Sequence, residues 1–151
     1  FGFKLHLLCN ERGELVNFYL TRDNVDDRNQ KIFSVLSNGL FGKLYADKGY
    51  ISASLCEMLF NKGIHLVTGI KKNMKNRLMS VNDKILLRKR SIIETINGEL
   101  KNICHIEHSR HRSPANFILN LLAALGAYSF FSKKPAIKFD KEQVSSLNLF
   151  S

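Results

Sequence analysis

The feature that most constrains this chain is the order of its short apolar runs, which change period from two to 3.6 and back. Phe3 to Cys9 alternates, and Glu14 to Thr21 is rich in Leu, Val, Phe and Tyr. Between them Asn10-Glu11-Arg12-Gly13 is turn chemistry, so the pair predicts an antiparallel hairpin. Ile32, Phe33, Val35 and Leu36 then repeat at helical spacing, with Asn24 or Asp26 as the expected cap and Gly39 as the stop. Lys43-Leu44-Tyr45-Ala46 predicts a short strand ending at Asp47. A helix opened by Ser52 or Ser54 and closed by Asn61-Lys62-Gly63 follows, and then a strand over Ile64 to Ile70. The order β-β-α-β-α-β implies an α/β protein with one mixed sheet flanked by helices.

The second half reads as helical. One long helix is expected from Val81 to Cys104, then a polar basic connector from His105 to Arg112. Ser113-Pro114 is a cap and first-turn pair for an apolar helix over Asn116 to Phe131. That helix is read as buried, because it holds Asn120 and falls short of the roughly 20 residues that span a bilayer. Residues 1–134 are read as one domain and 135–151 as a polar tail.

Composition narrows the function classes. The 151 residues carry a net charge of +10, which favours a polyanionic partner through counterion release. A basic protein without such a partner is the plainer reading. Cys9, Cys56 and Cys104 lie far apart and form no C-x-x-C pair, so neither a zinc site nor a disulfide framework is indicated. His105, His108 and His111 stand among arginines, a poor metal cage. No phosphate-binding glycine loop and no nucleophile elbow is present in the sequence.

The residues that carry chemistry are acidic and basic. Asp47 leaves a strand at the end where open α/β sheets bind ligands, though Asp also opens loops and Gly49 suits a turn. On a continuous helix at about 100° per residue, Arg90, Glu94 and Lys101 fall at about 160°, 200° and 180° from Ile92. They make one stripe opposite the apolar face, either an edge for a phosphate backbone or the outer face of any amphipathic helix. Lys71, Lys72 and Lys75 lie in a basic segment with no apolar period, read as a solvated loop or as a phosphate-contacting one.

Taken together these blocks resemble the DDE-type transposases of bacterial insertion sequences. Asp47, Gly49 and Tyr50 match D-x-G-[YF], and Arg90, Glu94 and Lys101 match Y-x2-R-x3-E-x6-K with Leu87 at the Tyr position. Gly2-Phe3-Lys4-Leu5-His6, Leu20-Thr21-x-x-Asn24 and Ser109 to Pro114 are also similar. The resemblance implies an RNase H-like fold and DNA transposition: cleavage and strand transfer with two Mg²⁺ ions held by three carboxylates. It makes Asp47 and Glu94 catalytic and metal-binding. Arg90 and Lys101 would contact DNA, and Lys71, Lys72, Lys75, Arg110 and Arg112 would add backbone contacts. The implied partners are transposon-end and target DNA and possible further copies of the chain, with no membrane, in the bacterial cytoplasm on the nucleoid.

In that family the first Asp precedes the hairpin with which this sequence opens. The expectation is therefore a C-terminal portion lacking the first strand and its Asp, inactive alone. The alternative is a non-enzymatic DNA-binding remnant that associates with intact transposase.

Overall fold

A computed structural model describes residues 2–69, 79–104 and 113–139. The fold is mixed α/β, and its residues gather into two compact units through which the chain passes more than once. The first comprises Phe1–Leu8, Asn17–Arg90 and Lys138–Ser151; the second comprises Cys9–Val16 and Ser91–Ile137.

Strands β1 (Phe3–Cys9) and β2 (Leu15–Arg22) form the expected hairpin. The Asp23 N–H donates to the Gly2 carbonyl at 2.9 Å, so the end of β2 meets the start of β1. Across the pair, His6 and Thr21 are buried and hydrogen-bonded at 3.1 Å. Burial lowers the His6 pKa, opposed by Asp27 and assisted by Lys4.

Helix α1 (Gln30–Leu36) starts later than the sequence suggests, because Asn29 caps it by accepting from the Lys31 N–H. Asp26 is occupied elsewhere. Its carboxylate takes the Arg28 guanidinium and backbone N–H at 2.8 Å each, which hold its pKa at about 2. Gly39 follows the helix at φ +73, a conformation glycine adopts without strain.

Strands β3 (Gly42–Ala46) and β4 (Ile64–Thr68) pair in parallel, with Leu44 opposite Leu66. Helix α2 (Ala53–Asn61) connects them, capped by the Ser52 hydroxyl, which accepts from the Leu55 N–H at 3.1 Å. Phe33, Leu55, Leu59, Ile64 and Leu66 form the core of this unit, with Leu44 and Ala46 packed against it.

The described strands thus form two two-stranded sheets and not the single mixed sheet expected. Periodicity reports which face of a strand is buried; it carries no information about which strands share an edge.

The long helix is also corrected. It is two helices, α3 (Val81–Lys89) and α4 (Ile92–Asn102), broken at Arg90-Ser91. There the Glu94 N–H donates to the Ser91 carbonyl at 2.9 Å, three residues back, which tightens the backbone locally. Serine and the β-branched Ile92 and Ile93 are weak helix formers, so the run lacks the propensity to carry through.

In the second unit α4 packs on α5 (Pro114–Ser129). Leu121, Ala124, Leu125 and Tyr128 of α5 are buried at i, i+3, i+4, i+7 spacing. The helix is not buried all round: Ile118, Leu119 and Leu122 are exposed. Ile103 is exposed past the end of α4. The Tyr128 hydroxyl donates to the Gly13 carbonyl at 2.7 Å, and the Ile137 N–H donates to the Glu11 carbonyl at 2.8 Å. Burial, then the charges of Glu99, Cys9 and Cys104, push the Tyr128 phenol up to about 12. The chain just after α5 is therefore tied to the hairpin turn. Among the described residues no helix is long and apolar enough to cross a membrane.

Candidate nucleic-acid site

Asp47 directly follows β3, in extended backbone at φ −70 and ψ 152, and caps the single 3₁₀ turn Lys48–Tyr50. Its Oδ1 accepts from the Lys48 N–H at 2.6 Å. The side chain is half exposed and faces the Arg90 guanidinium at 3.6 Å. That is an ion-pair contact longer than a hydrogen bond, of a kind worth about 0–1 kcal/mol. It joins one residue from each of the two sequence blocks. Tyr50 packs edge-on against Phe33 at 5.6 Å between centroids, which fixes the turn to the core. Burial, then Asp27 and Asp47, raise the Tyr50 pKa.

The break at Arg90-Ser91 alters the expected stripe. Arg90 ends the first unit, whereas Glu94 and Lys101 belong to α4 in the second. Glu94 and Lys101 still share a face at i,i+7 and are both exposed. Lys71, Lys72, Lys75, Arg110 and Arg112 lie outside the described residues, as do His105, His108, His111 and Ile70. Among the described residues no three or more His, Cys, Asp or Glu side chains gather as a metal cage. The side chain that meets the Asp47 carboxylate is a guanidinium. The described residues do not by themselves make up the two-ion site implied by the sequence blocks.

Sequence reasoning missed the cluster that Asp83 forms with Lys43 and Tyr45 of β3. Asp83 is buried, and its Oδ1 accepts from Lys43 Nζ at 2.8 Å and from the Tyr45 hydroxyl at 2.9 Å. Its own N–H donates to the Ser80 hydroxyl, the cap of α3, at 3.1 Å. Two signals were available: Lys43, Tyr45 and Asp47 alternate along one strand face, and Ser80-x-x-Asp83 has capping spacing. Burial raises the Asp83 pKa, but bonds from Lys43, Ser80 and Tyr45 and the charge of Lys43 outweigh it, leaving it lowered. Burial, then Asp83, pushes the Tyr45 phenol well above its usual range.

A pH dependence follows from Asp83. A carboxyl lowered in the fold binds fewer protons than in the unfolded chain, so its contribution to stability rises with pH. It is complete above the unfolded value of about 3.9 and is lost as pH falls through the lower folded value. Urea unfolding across this acid range should show a flatter pH dependence in Asp83→Asn than in the wild type. Identical slopes would show that Asp83 is not the linked group.

Comparison with known proteins adds one finding: a family model described as "Transposase DDE domain" matches residues 1–114. No curated protein and no solved structure matches the chain.

Proposed function

Because the chain belongs to the transposase DDE domain family, we propose that it engages insertion-sequence ends during bacterial DNA transposition. In this reading it supplies Asp47 and Glu94 as two of three carboxylates for a pair of Mg²⁺ ions. The observation that carries the reading is the meeting of Asp47 with Arg90 at the C-terminal end of β3. An acidic group beside a cation at a strand end suits a phosphodiester: the carboxylate serves metal binding, and the guanidinium contacts phosphate. Lys101, on the Glu94 face of α4, serves as a further phosphate contact. Lys71, Lys72, Lys75, Arg110 and Arg112 add sequence-independent backbone contacts.

The reading places the chain in an RNase H-like fold, supported by the parallel β3–β4 pair and its connecting helix α2. DNA engagement is the activity assigned to this chain, with Asp47 and Glu94 as the carboxylates its sequence blocks supply. Its place is the cytoplasm, on the nucleoid, with DNA as partner and further copies as candidates for assembly.

The test is to incubate the purified chain with Mg²⁺ and duplex DNA carrying insertion-sequence ends. Binding that weakens with salt is the expected result, and an absence of binding at low salt would overturn the reading.

A further inference from the structure

We propose that Asp83 is a positioning residue: its clamp on Lys43 and Tyr45 sets α3 in the register that holds Arg90 against Asp47. The inference rests on reading Arg90 as a DNA contact and deepens that reading.

Strand geometry supplies one half of the argument. Side chains alternate across a strand, so Lys43 and Tyr45 share one face of β3, opposite Leu44 and Ala46 in the core. Asp47 continues the same alternation one step past the strand. Helix geometry supplies the other half. Asp83 and Arg90 are seven residues apart, so they project from one side of α3 with a rise of about 10 Å between them. From the middle of the Lys43–Tyr45 pair to Asp47 is three residues, again about 10 Å at strand rise. The two spans match. A helix attached through Asp83 and running along β3 therefore delivers its last residue to Asp47.

The energetics give the direction of control. Arg90 and Asp47 are 40% and 53% exposed and 3.6 Å apart, so their contact is too weak to hold a helix in register. The Asp83 carboxylate is 11% exposed and takes a hydrogen bond from the Lys43 ammonium and another from the Tyr45 hydroxyl. Bonds to an ionised carboxylate are short and strong, and the burial of Asp83 limits their screening although the Lys43 side chain is 47% exposed. Arg90 also stands at the C-terminal cap of α3, next to the break. A small rotation of α3 would carry its guanidinium away from Asp47.

Two readouts test this in the full chain. The first is the Arg90 Nε–Hε signal in a ¹⁵N spectrum, assigned by its loss in Arg90→Lys. Asp83→Ala should shift and broaden it while the remaining fold is retained, Asp83→Asn should restore it in part, and Tyr45→Phe should perturb it less. The second is affinity for a short DNA duplex at fixed salt. Asp83→Ala should weaken binding about three- to tenfold, the scale of losing one phosphate contact, and add nothing in an Arg90→Ala background. The sign discriminates, because removing a negative charge from a chain of net charge +10 would by itself tighten binding. An unchanged Arg90 signal in Asp83→Ala overturns the inference. If Arg90→Ala leaves DNA affinity unchanged, the reading of Arg90 as a DNA contact fails, and the Arg90 signal still decides the clamp.

Discussion

Replacing Gly13 by alanine is expected to destabilise the second unit by more than about 3 kcal/mol, an effect reserved for strained or severely clashing sites. Gly13 sits at φ +73, where an L side chain is strained by about 1–2 kcal/mol. The added Cβ would also lie 1.8 Å from the Pro135 carbonyl oxygen and 2.9 Å from its carbon. Those are backbone atoms and cannot swing aside. Relief would move either the hairpin turn or the 134–137 segment. Either motion strains the Tyr128 bond to the Gly13 carbonyl and the Ile137 bond to the Glu11 carbonyl. Gly39 provides the control, with the same φ of +73 and nothing within 4 Å of its Cβ position. Gly39→Ala should therefore show the backbone strain alone. Equal losses for the two variants in urea unfolding would mean that the Pro135 contact is absent in solution.

The core of the first unit gives the other large effect. Leu59→Ala should lose about 2–5 kcal/mol, the range for emptying a fully buried leucine site. Leu59 is wholly buried among Phe33, Leu55, Ile64 and Leu66. Its neighbours come from two helices and a paired strand, so the cavity cannot close cheaply. The next residue, Phe60, is 72% exposed, and Phe60→Ala should stay within about 0.5 kcal/mol of the wild type. The comparison is best made from urea midpoints at a common slope. A loss below about 1 kcal/mol in Leu59→Ala would mean that the site is loosely packed, outside the range expected for a native core.

These two sites also show what the sequence makes legible. The hairpin turn is local chemistry: the Asn10 side chain accepts from the Arg12 and Glu14 N–H groups, and Gly13 takes the positive φ. The Ser52 cap, the Gly63 stop and the Pro114 start are legible for the same reason, whereas Ser113 stands at the cap of α5 without a side-chain cap bond. The Pro135 contact with Gly13 is not, because it joins residues more than a hundred positions apart. Among the described residues, the pairing of β3 with β4 and of β1 with β2 in separate sheets is likewise a tertiary choice that alternation does not encode. No Gly or Pro marks the break at Arg90-Ser91, and an apolar period persists on both sides, so periodicity does not reveal it. At the candidate site, Asp47 and Arg90 were legible as motif residues, and the structure brings them together. Asp83 was hidden, since an acid in the first turn of a helix reads as a favourable end charge and not as a buried acceptor.

The central proposal is that Arg90, beside Asp47, and Lys101, on the Glu94 face of α4, each contact DNA phosphates. Its most direct test is the salt dependence of duplex binding by the wild-type chain, Arg90→Ala, Lys101→Ala and the double variant. The account expects the log–log slope to fall in magnitude by about 1 for each cation removed, with affinity falling alongside. Slopes and affinities unchanged in the double variant would contradict it, and would leave the basic charge of the chain without a role at this site.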